Sequence, residues 1–283
     1  MDAWLNSLRI NIEKFSPDLL SLFDVYANES KFGRIFIDED LKNLPPGASI
    51  LEVGAGSMIL SCQLVIEGYK VKALEPFGEG FSHFNQLREI VIQEASRLGC
   101  APDILCFPIE KLDLHEYFDF AFSVNVMEHV SNIEVSILNV SNSLRPASVY
   151  HFTCPNYLFP YEPHFNIPIL FNKKITGFIF RRLIKNKINI PDPFGVWRSL
   201  NWISSCRLLK FANKNNSFSL NLKSRAFINS LIRVSNDEQF ASRRPYWIRF
   251  IIRWLIVTRL YKLLIFIPIC LQPTIDCEIK VKT

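Results

Sequence analysis

The segment Ser49-Ile50-Leu51-Glu52-Val53-Gly54-Ala55-Gly56-Ser57 constrains the fold of this chain more than any other. An apolar run of strand length stops at two glycines, and from Met58 to Glu67 apolar residues recur at helical spacing until Gly68 ends them. Tyr69 to Leu74 then reads as a second buried strand, which completes a strand-helix-strand unit. The pattern continues with a helix over residues 82–98, a weak strand near Ile104–Phe107, and Phe118–Val124, an almost continuous apolar strand. A helix over Ile133–Ser143 and a strand over Val149–Thr153 follow. Such alternation predicts a doubly wound, mostly parallel α/β sheet with helices on both faces and ligands at the carboxyl ends of its strands.

Residues 1–44 mix amphipathic stretches with charged breaks and read as an N-terminal helical cap, closed off by the Pro45-Pro46-Gly47 turn. Beyond Pro155 the alternation fails, and residues 155–200 are rich in proline, aromatics and basic residues without a clear period. We read this stretch as an insertion over the active face. Residues 217–222 and 274–281 alternate in the manner of a closing antiparallel strand pair, separated by an apolar and basic region, 243–271. Three segments are therefore expected: a cap (1–44), a nucleotide-binding core (45–155), and a lid with a helical insertion and closing strands (156–283).

The chain has 283 residues, 49% of them hydrophobic, enough for a sizeable core. Its formal charge of +5 is modest, and no helix-turn-helix, zinc knuckle or aromatic platform is present, which argues against nucleic acid as a partner. Seven cysteines are scattered through mostly apolar runs and read as reduced thiols. The N-terminus lacks a basic flank before an apolar stretch, so the expected compartment is cytoplasmic. Five histidines show no paired spacing, and no metal is assigned.

Gly54 and Gly56 let backbone amides approach a ligand without an intervening Cβ, although glycines serve plain turns equally well. Glu75 ends the next strand, where a carboxylate can accept both hydroxyls of a ribose. A nicotinamide dinucleotide site wants a further glycine three residues after Gly56. Ile59 stands there, and no Tyr-x-x-x-Lys pair is evident.

Ile50 to Ser57 resembles the first motif of the class I S-adenosylmethionine-dependent methyltransferases, and Ala73-Leu74-Glu75-Pro76 resembles their second. Tyr117 to Val130 is similar to the family's fourth-strand signature, and Ser143-Leu144-Arg145-Pro146-Ala147 to its Leu-Lys/Arg-Pro-Gly-Gly turn. Met58 stands where many members have glycine, and Ala147-Ser148 replaces the usual glycine pair. The resemblance covers residues 45–155 well and the rest loosely. It implies a Rossmann-like sheet of seven strands with the last antiparallel, and S-adenosylmethionine as cofactor. It further implies that Glu52 orients the glycine loop and approaches the methionine amino group, that Gly54 and Gly56 pass under the cofactor, that Glu75 holds its ribose, and that backbone groups near Ile109 hold the base.

Asn125, at the end of the fourth strand, is expected to project towards cofactor and substrate. Glu128-His129 follow: a histidine near neutral pKa can take a proton from a hydroxyl, with the carboxylate fixing its tautomer. Equally, Glu128 can favour a helix N-terminus and His129 can be a hydrogen-bonded spacer. The run Thr153 to Phe165 lies after the fifth strand at the same edge, and Tyr157, Tyr161, Glu162 and His164 can line an acceptor pocket or pack as a loop.

On a helix of roughly 100° per residue, Arg249, Arg253, Arg259 and Lys262 share about half the circumference and leave an apolar face. Lys173, Lys174, Arg181, Arg182, Lys185 and Lys187 are similarly interleaved with apolar residues. Both regions suit an anionic membrane surface, a dimer interface, or packing on the sheet. The expected activity is methyl transfer, with a hydroxyl of a lipid, lipid-linked sugar or hydrophobic small molecule as acceptor. The alternatives are an amine acceptor and a non-catalytic scaffold that keeps the fold.

Overall fold

The computed structural model describes residues 1–76, 85–187, 190 and 192–283. Nine strands are described: β1 Ser49–Val53, β2 Lys70–Leu74, β3 Asp103–Leu105, β4 Phe118–Val124, β5 Leu144–Pro155, β6 Tyr161–Glu162, β7 Ile167–Pro168, β8 Phe218–Leu222 and β9 Thr274–Val281. Seven of them form one sheet in the order β3-β2-β1-β4-β5-β9-β8. β1 runs parallel to β2 and β4, with Ile50 opposite both Val71 and Phe120, and β2 runs parallel to β3. The mostly parallel Rossmann-like sheet expected from the alternation is present.

The chain divides into two compact units. The first comprises Met1–Val124, Val135–His151 and Val281–Thr283, and the second Asn125–Glu134 and Phe152–Lys280.

In the first unit, α1 (Asp2–Phe15), α2 (Leu20–Phe36) and α3 (Asp38–Lys42) precede the sheet. Trp4, Leu5, Leu8, Ile12 and Phe23 are buried in one apolar cluster with Ile59 and Cys62 of α4 (Ile59–Ile66) and Leu87 and Val91 of α5 (Asn85–Arg97). The Trp4 indole N–H donates to the Ile59 carbonyl at 3.2 Å, and Ser7 and Asn11 donate to the Glu94 carboxylate at 3.2 and 3.3 Å. The helix expected over 82–98 is described from Asn85, and residues 82–84 lie outside the described residues. β3 is shorter than expected and begins at Asp103, because Pro102 and Pro108 bracket it and offer no ladder N–H.

Two departures from the family's glycines adopt the conformation that glycine would take. Met58, the residue before α4, sits at φ 64° with its side chain fully buried. Ala147, at φ 64° and exposed, lies inside β5, which begins at Leu144 rather than at Val149.

The second unit holds α7 (Lys173–Ile179), α8 (Arg181–Lys185), α9 (Pro193–Ser199), α10 (Ser205–Ala212), α11 (Arg225–Asn236), α12 (Glu238–Ser242) and α13 (Tyr246–Val257). Side-chain caps start four of them: Asn172 accepts from the Ile175 N–H at 3.0 Å, Asp192 from Gly195 at 2.8 Å, Ser204 from Arg207 at 3.4 Å, and Asp237 from Phe240 at 2.9 Å. β8 and β9 are neighbours, as expected for the closing pair.

Region 243–271 is not one helix. α13 ends in the β-branched run Ile256-Val257-Thr258, where the Thr258 hydroxyl donates to the Trp254 carbonyl at 2.8 Å, and Arg259 turns left-handed at φ 61° before a 3-10 segment, Leu260–Phe266. The single basic face expected of Arg249, Arg253, Arg259 and Lys262 is therefore not built. Arg249 and Arg253 instead reach Glu238 of α12 at 3.2 and 2.5 Å. Lys173 is likewise turned inward, donating to the Arg198 carbonyl at 2.9 Å and to that of Leu200. Among the described residues no helix is long and apolar enough to cross a membrane.

Candidate active site

In the first unit, β1 leads into a loop that glycine makes possible: Gly54 has φ 73° and Gly56 φ 49°. Gly54 donates its N–H to the Leu74 carbonyl at 2.7 Å, and Gly56 donates its N–H to Glu75 Oε2 at 2.8 Å, so the loop and the end of β2 are fastened together. Burial raises the Glu75 carboxyl, and the Gly56 amide and the Arg88 charge oppose that rise. Glu52 is buried in β1, and its carboxylate accepts from the Ser61 hydroxyl of α4. Burial pushes its carboxyl up to about 8, with Ser61 opposing and Glu75 adding to the rise. Ile109 lies in a 3-10 turn, Ile109–Lys111, whose first two carbonyls accept from the Asn139 amide at 3.3 and 2.9 Å. A left-handed glycine loop flanked by two buried carboxylates fits a ligand that carries one cation and one vicinal diol.

In the second unit, Asn125 takes a left-handed conformation at φ 56°, with its N–H donating to the Thr153 carbonyl at 2.8 Å. Glu128 follows, fully buried. Neither of its carboxylate oxygens has a hydrogen-bond partner among the described residues, and Oε1 lies 4.0 Å from Nε2 of both His129 and His164. Burial lifts the Glu128 carboxyl to about 7 against the pull of His164. His129 Nδ1 lies 2.8 Å from the Ser199 hydroxyl, which spends its own proton on the Val196 carbonyl at 2.9 Å. The serine oxygen therefore accepts, which puts the imidazole proton on Nδ1 and a lone pair on Nε2. Burial, and then the charges of His164 and Lys173, lower the His129 pKa to about 3, so the ring is neutral at physiological pH.

Behind this pair, His164 Nδ1 donates to Glu162 Oε1 at 2.6 Å. Glu162 also accepts from the backbone N–H groups of His164 and Phe165, at 3.1 and 2.7 Å, and from the Tyr157 hydroxyl at 3.3 Å. Burial opposes the charge on His164, but the Glu162 hydrogen bond and the Glu162 and Glu128 charges outweigh it and hold the pKa above its ordinary value. Tyr157 is buried and stacks on Trp202 with centroids 5.5 Å apart, while the Tyr161 hydroxyl donates to Asn166 at 2.5 Å. Of the four residues expected to line an acceptor pocket, Glu162 and Tyr157 are thus occupied with one another and with His164.

The family model of a methyltransferase domain matches residues 51–152. An uncharacterised protein of Mycobacterium tuberculosis is 42% identical over 279 residues, which cover 99% of this chain and 94% of that protein. A ubiquinone biosynthesis O-methyltransferase of Paramagnetospirillum magneticum is 28% identical over 139 residues, 49% of this chain and 51% of that enzyme. Among solved structures, the Haemonchus contortus phosphoethanolamine N-methyltransferase 2 in complex with S-adenosyl-L-methionine matches with a TM-score of 0.52 at 12% identity, over 88% of this chain and 52% of that one. Residues 51–152 are a methyltransferase domain, and they lie in the Rossmann-like sheet of the class I S-adenosylmethionine-dependent methyltransferases.

The cofactor of this methyltransferase is S-adenosylmethionine. Its sequence singled out Glu52, Gly54, Gly56 and Glu75, and the structure brings the two glycines and Glu75 together where β1 and β2 end, with Glu52 buried in β1. It did not disclose the residues that fasten the second-unit cluster. Asn201 donates its side-chain amide to the carbonyls of Met127 and Val130 at 2.7 and 2.9 Å, while its own N–H donates to the Glu128 carbonyl at 2.8 Å. Ser199 and Asn201 stand far from Glu128 in the chain, in a region without periodicity, and no local signal marks them.

Proposed function

We propose that this methyltransferase transfers the S-adenosylmethionine methyl group to a hydroxyl of a small amphiphilic acceptor: a lipid, a lipid-linked sugar or a hydrophobic small molecule. In this reading Glu52 receives the methionine ammonium, the Gly54–Gly56 loop passes beneath the cofactor, Glu75 takes the ribose hydroxyls, the turn at Ile109 meets the base, and Asn125 contacts the cofactor at the end of β4. When bound, the cofactor supplies a sulfonium that leaves readily, so in-line alignment of donor and acceptor accounts for most of the rate and little covalent help is needed.

The observation that carries the hydroxyl assignment is the state of His129. Ser199 engages Nδ1 at 2.8 Å, which turns Nε2 towards the Glu128 carboxylate 4.0 Å away, and the negative charge of that carboxylate would stabilise the imidazolium formed as the ring takes the acceptor's proton. An amine acceptor loses its proton to water before attack and needs no such base. In this reading Glu128 and His164 flank that imidazole, Glu128 with its charge and His164 with its ring edge-to-face at 5.4 Å between centroids, and Tyr161 is the remaining candidate for acceptor contact. The similarity to an O-methyltransferase of ubiquinone biosynthesis over half the chain agrees with this reading.

The amphiphilic character rests on α13 and the segment after it, where Tyr246, Trp247, Phe250, Trp254, Leu263 and Phe266 are all more than half exposed. In our reading this apolar surface, with Lys174, Arg181, Arg182 and Lys185 of α7 and α8, rests on an anionic membrane surface.

The test is transfer of label from S-adenosylmethionine to panels of phenolic, polyprenyl and sugar hydroxyls beside matched amines. We expect hydroxyl products, and His129→Gln to lower kcat about 10²- to 10⁴-fold with cofactor affinity unchanged. Methylated amines alone, or a His129→Gln enzyme of full activity, would remove the proposal. For the membrane part, flotation with phosphatidylglycerol vesicles should carry the wild type and lose the Trp247→Glu/Phe250→Glu variant. A wild type left at the bottom of the gradient ends that reading.

A further inference from the structure

The cluster that presents His129 has a second property that a proton acceptor does not require. Three ligating atoms, His129 Nε2, His164 Nε2 and a Glu128 carboxylate oxygen, lie within 4.8 Å of one another. Both imidazoles have their Nδ1 engaged from outside the cluster, His129 by Ser199 at 2.8 Å and His164 by Glu162 at 2.6 Å. Each therefore directs Nε2 towards the same buried carboxylate, 4.0 Å away in both cases. Two protonated nitrogens at hydrogen-bonding distance would satisfy that carboxylate, yet at 4.0 Å neither forms a hydrogen bond. Both Glu128 oxygens are without a partner among the described residues, although the side chain is fully buried. A buried carboxylate without compensation is unfavourable and is normally paired or bound to a cation.

We propose that Glu128, His129 and His164 bind a divalent first-row metal ion, Zn²⁺ in the assay below, through one carboxylate oxygen and two imidazole Nε2 atoms. Two histidines and a glutamate with an open fourth position form the donor set of catalytic zinc sites. A tetrahedral site with bonds of about 2.0–2.1 Å has edges of roughly 3.3 Å, so the two 4.0 Å edges to Glu128 and a third edge of at most 4.8 Å between the histidines close by side-chain rotation. The outer partners have the chemistry that metal-bound histidines need, since a carboxylate or hydroxyl on Nδ1 fixes the tautomer and ring plane. Asn201 fixes the backbone of the turn bearing two of the three ligands. His129 and His164 sit in separate stretches of sequence, and for that reason their spacing shows no metal motif. The ion's role as an acid toward an acceptor hydroxyl rests on the hydroxyl reading above, with His129 then a ligand rather than the direct base. The binding site itself does not depend on that reading.

The full chain, stripped with a chelator and carrying Cys106→Ser and Cys206→Ser to remove its exposed thiols, is titrated with Zn²⁺ against a chromophoric chelator. Co²⁺ is added separately to record its visible spectrum. Circular dichroism checks each fold, and calorimetry with S-adenosylmethionine checks each cofactor site. We expect one equivalent of Zn²⁺, tetrahedral-type Co²⁺ absorption, binding abolished in His164→Ala, and affinity lowered about 10- to 100-fold in Glu162→Gln. Absence of stoichiometric Zn²⁺ binding in the parent, or unchanged affinity in a folded His164→Ala or Glu162→Gln, overturns the proposal. If His164→Ala does not fold, Glu162→Gln and the Co²⁺ spectrum decide. Metal binding without hydroxyl methylation leaves the site standing and removes the hydroxyl reading. Hydroxyl methylation by a protein that binds no ion does the reverse.

Discussion

Glu75 meets the glycine loop through one oxygen, at 2.8 Å from the Gly56 nitrogen, so its other oxygen is the one available to a ligand. Replacing it with alanine removes a charge-assisted contact and the loop's anchor together. We expect cofactor affinity to fall by about 1.5–3 kcal/mol, roughly 10- to 100-fold, by calorimetric titration. Glu52 adds a pH dependence. Its folded-state carboxyl titrates near 8, so at pH 7 the free protein holds a proton there. An incoming ammonium favours the carboxylate and displaces that proton. Affinity should therefore rise with pH up to about 8, with close to one proton released at pH 7, measurable by calorimetry in buffers of different ionisation enthalpy. Glu52→Gln should abolish both effects. The same shift has a stability counterpart: a carboxyl raised above its unfolded value favours the fold at acid pH, and that contribution is lost as pH climbs from about 4.5 through 8. Ala147 is a simpler case, exposed and left-handed. The strain there costs about 1–2 kcal/mol and glycine's extra chain entropy about 0.5–1, so Ala147→Gly should raise Tm by about 1–3 °C.

Among the elements, the turn after β4 is held by a residue distant in sequence. Asn201→Ala removes three side-chain hydrogen bonds, to Met127, Val130 and the Ile203 N–H. It should cost about 1–3 kcal/mol in chemical denaturation while leaving cofactor affinity intact. That turn marks the limit of what could be read in advance. β1, α4, β2, β4 and α6 (Ile133–Ser143) were legible because burial on both faces of a parallel sheet writes apolar runs, and glycines punctuate them. The glycine loop after β1 was legible for the same reason, its residues being contiguous. The surroundings of Glu128 were not, since Ser199 reaches His129, Glu162 reaches His164 and Asn201 reaches the backbone of the turn through tertiary packing that no period records. α13 was misjudged in length because hydrophobic periodicity runs through Arg259, whereas a left-handed residue ends a helix whatever the period.

At the scale of the whole molecule, thiol accessibility gives an inexpensive check. All seven cysteines are unpaired. Cys106 and Cys206 are exposed, Cys270 is intermediate, and Cys62, Cys100, Cys154 and Cys277 are buried. A native protein should show two fast thiols with Ellman's reagent, a slower third, and seven after denaturation. Burial raises the pKa of all four buried thiols, which deepens their protection. The N-terminal helices are integral to the first unit rather than an appendage. Deleting residues 1–44 strips Trp4, Leu8, Ile12 and Phe23 from the cluster that covers α4 and α5, and the truncated protein should be insoluble on expression while the full chain is not.

Met58 carries the implication with the widest reach. Its backbone asks for glycine and its side chain, fully buried, asks for a large apolar group. Glycine would relieve about 1–2 kcal/mol of strain and forfeit about 1.5–3 kcal/mol of burial, whereas valine or isoleucine would restore the burial and worsen the strain. In a saturation library this position should therefore admit little besides leucine, which matches methionine in volume and is unbranched at Cβ. Glycine becomes the better residue here only once a second side chain has enlarged to fill the space that methionine occupies.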